Sequence, residues 1–242
     1  DSTLAQAIKY GIDCSDAVTA VSESLKQQTY ALIDTKQKIE TIYNFVDDNV
    51  FKPVDPGNLK EQFGILPHEK VIIHISNFRK IKNLPDVVDS FLKIREKMPA
   101  KLLLVGDGPE KHRVTDLVKV SPYKDDILFL GKQENITELF AISDLKLLLS
   151  EKESFGLVLL EAMACGVPGI GTAIGGIPEV INHGVNGYLV PLGDTQSVAD
   201  YAVDLLQDEV KHEAFRLAAL QAVREQFHES KMVEQYERIY ER

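Results

Sequence analysis

From residue 70 onward the chain alternates short, apolar, β-branched runs with longer amphipathic stretches, and few folds accommodate that order. The runs lie at 71–75, 101–105, 127–130 and 145–149, with weaker ones near Ile170 and at 188–190. Between them, stretches such as 84–98 carry Val87, Val88, Phe91, Leu92 and Ile94 as one apolar stripe at helical spacing. Strands buried on both faces read as continuous apolar runs, and strands linked through helices pair in parallel. The expected fold is therefore α/β, a Rossmann-like parallel sheet with helices on both faces. Ligands of such sheets bind in the loops at the carboxyl ends of the strands. Nine of the fifteen glycines fall between Gly156 and Gly193, where loops would have to approach a ligand closely.

The net charge of −10 and a pI near 5.1 argue against nucleic acid as the main partner, because its backbone requires a basic face. They leave room for a phosphate in a local basic pocket. The two cysteines, Cys14 and Cys165, lie far apart, a usage that fits a reducing cytoplasm. No Cys/His spacing of metal type is present, and no Asp-x-Asp pair stands at a strand end, so no metal is expected. The longest uncharged run, 162–178, is broken by glycines and prolines and cannot span a membrane.

Two carboxylates, Glu153 and Glu161, bracket the sequence ESFGLVLLE. Residues 157–165 hold one charge in nine and read as a helix buried on most of its faces. Glu161 in such a helix needs a hydrogen-bond donor, and no cation stands within a turn of it. Ser154, Phe155 and Gly156 form a loop opening into the helix N-terminus, where free amides favour an anion. Leu157 and Glu161 are four apart and share the face of that opening. A phosphate on the amides with a sugar hydroxyl on Glu161 is one reading; a core helix whose glutamate caps a neighbouring backbone group is the other. After the first long run comes SNFRKIKN at 76–83, with Arg79, Lys80 and Lys82 within four positions. That cluster suits a diphosphate leaving group, although a solvated charge run also explains it. Gly106-Asp107-Gly108-Pro109 is on its own a tight turn with Pro109 at the first helical position. His183, on its own, reads as a structural or surface histidine rather than a catalyst.

The paired glutamates match the E-x7-E signature of retaining GT-B glycosyltransferases of sequence family 4. The resemblance extends to VGDGP at 105–109, FLG at 129–131, EAMACGVP at 161–168, GGIPEV at 175–180 and HGVNGYLV at 183–190, all in family order. It implies the C-terminal, nucleotide-sugar-binding domain of a GT-B enzyme. It places Lys82 and Arg79 on the donor diphosphate and Glu153 by the donor sugar's hydroxyls, the three residues that would act in the transfer. Where the family commonly has arginine, this chain has Asn77, with Arg79 two residues later, so Asn77 supplies at most a polar contact. The nucleotide-sugar pocket would add Gly106, Gly108 and Gly131, the last beside Lys132 and Gln133 at the base edge. Ser154 and the amides of Phe155, Gly156 and Leu157 would meet sugar and phosphate, and Glu161 would accept from the ribose hydroxyls. Gly175 and Gly176 should form another close-approach loop. Protein cations would do the neutralising, without a metal or other cofactor.

The resemblance also orders the chain. Residues 1–46 carry a helix, a strand at 17–21, a helix opened by Ser22 and a strand at 39–43, expected as a remnant of an N-terminal, acceptor-side domain together with the connection. Residues 47–228 would be the nucleotide-sugar domain and 229–242 a helix crossing back to the first domain. The chain begins in helical sequence without a methionine, as a piece of a longer protein would. The connection around 42–47, the strand end at 75–79 and the tail at 233–237 are most similar to bacterial members that move N-acetylglucosamine from UDP to the hydroxyl of L-malate in bacillithiol biosynthesis. The implied partners are thus a UDP-sugar and a small-molecule acceptor, with room for a homo-oligomer. A family member with another acceptor shares every motif from 70 to 193, and a nucleotide-binding piece inactive alone shares them as well.

Overall fold

The computed structural model describes residues 2–241. It opens with a small unit in which α1 (Ser2–Asp13) leads to β1 (Val18–Ala20), α2 (Glu23–Leu32) and β2 (Ile39–Thr41). Ser22 caps α2 as its sequence suggests, its hydroxyl accepting from the Leu25 amide at 3.0 Å. β1 and β2 pair in parallel as a two-stranded sheet. Both are shorter than the expected strands at 17–21 and 39–43.

The connection at 44–57 is largely irregular and is pinned by a bridge between Val46 and His228. After the short α3 (Leu59–Gln62) the expected alternation appears in full. β3 (Lys70–Ile75), α4 (Leu84–Lys97), β4 (Ala100–Val105), α5 (Lys111–Lys119), β5 (Ile127–Gly131) and α6 (Ile136–Ala141) form one half. β6 (Leu145–Leu148), α7 (Leu157–Ala164), β7 (Gly169–Thr172), α8 (Ile177–Val180) and β8 (Gly187–Val190) form the other. All six strands pair in parallel in the order β5-β4-β3-β6-β7-β8. The order reverses direction between β3 and β6, so the crevice beyond their carboxyl ends is the natural binding position of this sheet.

Alternation along each strand sorts side chains to the two faces. Ile72, Leu102, Leu104, Leu145, Leu147 and Ile170 join the core beneath α4 and the later helix α9 (Thr195–Gln207). Val71, Ile73, Leu103 and Val105 face the opposite side, with Phe140 of α6 and Ala162 of α7. The tail is helical as expected: α9 is followed by α10 (Glu209–Gln226), which packs on α7 and α9, and by α11 (Glu229–Tyr240). The predicted last residue of that helix, Arg242, lies outside the described residues. Tyr43, Phe155 and Phe227 meet with ring centroids 5.6–5.8 Å apart, tying the connection, the loop before α7 and the end of α10 together.

Candidate active site

The loop leaving β3 is built from inside the sheet. His74, fully buried on β3, lies 3.1 Å through Nδ1 from the Leu147 carbonyl and 2.9 Å through Nε2 from Ser76 Oγ. A carbonyl can only accept, so Nδ1 carries the proton and the Ser76 hydroxyl donates to Nε2. Burial, reinforced by the charge of Lys146, holds the imidazole well below its ordinary pKa and therefore neutral. Ser76 Oγ in turn accepts from the Phe78 amide at 3.3 Å. Phe78 is buried in a left-handed conformation (φ 37°), so the exposed side chains of Asn77 and Arg79 flank a fixed anchor. Gly106 makes this possible from the next strand: a Cβ there would stand 1.8 Å from the Ser76 carbonyl. Gly106 and Gly108 thus let the end of β4 abut the cation loop, a Cβ on Gly108 standing 2.2 Å from the Asn77 carbonyl. The expected helix start is corrected, since Pro109 and Glu110 form a turn and α5 begins at Lys111. The Glu110 amide is spent on the Phe78 carbonyl, at 2.9 Å, rather than on a helical turn.

Lys82 closes the single turn that follows, and its ammonium pairs with Glu153 at 2.6 Å. Their side chains are only 17% and 15% exposed, so Glu153 is largely buried although it ends the charged run 151–153. The Glu153 backbone is equally constrained. Its carbonyl accepts from the Gly176 amide at 3.1 Å, and a Cβ on Gly175 would lie 1.8 Å from the same oxygen. The close approach expected of Gly175 and Gly176 is therefore one loop against another. Ser154 is exposed, and its carbonyl accepts from Ser22 Oγ at 2.6 Å. Phe155 is buried in the aromatic trio. Gly156 begins α7, and the amides of Leu157 and Val158 precede the first intrahelical bond, from Leu159 to the Gly156 carbonyl.

Glu161 lies half-buried one turn into α7. Among the described residues its carboxylate accepts no hydrogen bond from protein, so the donor its burial demands is not supplied by the chain itself. Burial pushes its pKa up, opposed by one charge, the ammonium of Lys146 on β6. Sequence reading took Lys146 as part of an apolar run, although a lysine amid a strand covered on both faces was a visible signal.

The structure thus brings Asn77, Arg79, Lys82, Glu153, Ser154, Phe155, Gly156, Leu157 and Glu161 to the carboxyl ends of β3 and β6. Gly131 stands two strands from β3, at the end of β5, its carbonyl accepting from the Gly106 amide at 2.7 Å. An open cleft of about 440 Å³ borders Lys82, Glu153, Ser154 and Gly175, with Gln28 of α2 on its far wall. A larger cavity, about 1060 Å³, lies between the small sheet and α11 and contains none of these groups. His183 is exposed at the surface, where it accepts from the Leu189 amide at 3.0 Å and packs on Tyr188 and Tyr201. Among the described residues no cluster of three His, Cys, Asp or Glu could hold a metal ion, and no helix is long and apolar enough to cross a membrane.

Residues 57–222 match the family of glycosyl transferases group 1. The chain is 56% identical over 240 residues to N-acetyl-alpha-D-glucosaminyl L-malate synthase of Bacillus anthracis, covering 99% of this chain and 63% of that protein. Among solved structures it superposes on sucrose-phosphate synthase of Thermosynechococcus elongatus with a TM-score of 0.90 at 24% identity, covering 100% of this chain and 61% of that one. It also superposes on Anabaena HepE in complex with UDP and glucose, with a TM-score of 0.88 at 25% identity, over 99% and 67% of the two chains.

Proposed function

Because the chain belongs to the group 1 glycosyl transferases, with their GT-B architecture, we propose that the protein carrying it is a hexosyltransferase that moves N-acetylglucosamine from UDP-N-acetylglucosamine to the hydroxyl of L-malate. The Bacillus anthracis relative, a glucosaminyl malate synthase, supports the transferred sugar and the acceptor, the HepE complex supports UDP as the nucleotide, and the chain spans 63% of the Bacillus relative's length. The observation that carries the chemistry is the Lys82–Glu153 pair at the sheet's switch point, beside the N-terminus of α7.

Departure of the UDP diphosphate builds negative charge at the leaving oxygen. Lys82, with Arg79 beside it, supplies fixed positive charge there, and the amides opening α7 supply oriented dipoles. These groups do the neutralising without a divalent ion. In the free protein Glu153 holds the Lys82 ammonium in place; with donor bound, the ammonium turns toward phosphate and Glu153 is left to accept from a sugar hydroxyl. The malate hydroxyl then attacks the anomeric carbon from the face the diphosphate leaves, with retention, and its proton passes to the departing diphosphate oxygen. A cytoplasmic location fits the soluble donor and acceptor.

The test is to incubate the intact protein with UDP-N-acetylglucosamine and L-malate, with and without EDTA, and to follow glucosaminyl-malate by mass spectrometry. Product formation unaffected by EDTA is expected. Transfer to a different hydroxyl would remove malate as the acceptor, and a strict requirement for magnesium or manganese would remove the metal-free reading.

A further inference from the structure

Lys146 breaks the pattern of the strand that holds it. Its neighbours Leu145 and Leu147 enter the core under α4 and α9, so Lys146 points to the opposite face, which α7 covers. In register it stands between Ile73 of β3 and Gly169 of β7. Gly169 has no side chain, and Leu159 of α7 fills that space: a Cβ on Gly169 would lie 2.2 Å from Leu159 Cδ1. α7 therefore descends onto the sheet beside Lys146. The side chain is 0% exposed, and its ammonium has no hydrogen-bond partner. An unpaired buried ammonium is among the costlier features a core can carry, and burial drives the Lys146 pKa well below the ordinary lysine range, with the charge of Glu161 as the one influence that holds its proton on. The charged and titratable groups acting around it are Glu161 on α7, Lys82 beyond β3 and His74 on β3, with the Cys165 thiol also near Glu161. Only Glu161 among them is an anion, and Lys146 is the one charge that favours Glu161 as an anion.

We propose that Lys146 is a positioning residue for nucleotide binding: a buried counter-charge that keeps Glu161 an ionised acceptor for the ribose hydroxyls of the donor. The inference rests on the reading that Glu161 meets the ribose. A neutral carboxyl would be half a donor and a poorer acceptor, whereas a carboxylate takes both hydroxyl protons in charge-assisted bonds.

The experiment measures the affinity of the intact protein for UDP and for 2′,3′-dideoxy-UDP, which lacks both hydroxyls, in the wild type, Lys146→Met and Glu161→Gln. The wild type should prefer UDP. Both variants should lose roughly tenfold or more of that preference, the scale of a charge-assisted hydrogen bond, and the double variant should lose little beyond either. Lys146→Met, which relieves the buried charge, should melt no lower than the wild type while binding UDP more weakly. If it fails to fold, Lys146→Gln makes the same comparison. A methionine variant that keeps the wild-type preference, or weakens both ligands in equal proportion, overturns the inference while the loss in Glu161→Gln leaves the ribose reading standing. If Glu161→Gln also keeps the preference, the ribose reading falls and takes the inference with it.

Discussion

Lys82 and Glu153 are each other's partner in the free protein, and that pairing predicts how their variants differ. Lys82→Ala removes a cation aimed at the diphosphate, so UDP affinity is expected to fall by about 1.5–3 kcal/mol while uridine affinity barely changes. Calorimetry with the two ligands checks this; a parallel loss for uridine would mean that Lys82 only holds its loop. His74 governs a different property. Its folded pKa lies well below the ordinary 6.5, so the unfolded chain takes up a proton that the folded chain refuses. Its neutral form is therefore matched to the fold above about pH 6.5, and stability is lost as pH falls below that value toward the depressed one. Urea midpoints measured between neutral and acidic pH should fall more steeply for the wild type than for His74→Gln, which cannot titrate. Equal slopes would remove His74 as the cause.

At the scale of elements, the site depends on loops locked by backbone contact. The 153–156 loop is held from one side by Gly175, where a side chain would drive into the Glu153 carbonyl at 1.8 Å. Gly184 is a useful contrast, with φ of 78° and open space where its Cβ would go. Gly184→Ala should cost about 1 kcal/mol, the penalty of a left-handed alanine. Gly175→Ala should cost several times that and reduce UDP binding as well, because the Glu153 backbone must move. Thermal melts and UDP titrations on both variants read this directly; equal costs would mean that the loop contact is soft. α7 shows the same economy, with its apolar residues buried on most sides and its polar function confined to its opening turn and Glu161.

Across the whole molecule, the small two-stranded unit is latched to the candidate site at two points. Ser22 Oγ donates to the Ser154 carbonyl, and the Glu179 carboxylate accepts from the Glu23 and Ser24 amides, both at 2.8 Å. Glu179 thereby satisfies orphan donors at the N-terminus of α2 from across the fold. Glu179→Ala should destabilise α2 by roughly 1–2 kcal/mol, the usual worth of a lost cap. Hydrogen exchange should show the first-turn amides of α2 losing protection while those of β3 and β4 keep theirs. Unchanged exchange in α2 would show that the latch contributes little.

The alternation of apolar runs and amphipathic stretches by itself determined the parallel sheet and its helices, because burial on both faces leaves the stretch 102–105 of β4 no polar position. The family motifs likewise located the two loops and the helix opening from short-range order alone. Three things were settled only by tertiary structure. The cation loop and the Glu153 loop meet because β3 and β6, whose paired residues Ile72 and Leu145 are separated by two other strands in sequence, lie side by side at the switch point. The glycines at 106 and 175 are required by backbones distant in sequence, not by the turns they sit in. Lys146 acquires meaning only from what lies above it: a lysine in an apolar run shows in the sequence as an anomaly, but only α7 brings Glu161 over the strand, and electrostatic pairing across a sheet face leaves no fixed spacing in the chain.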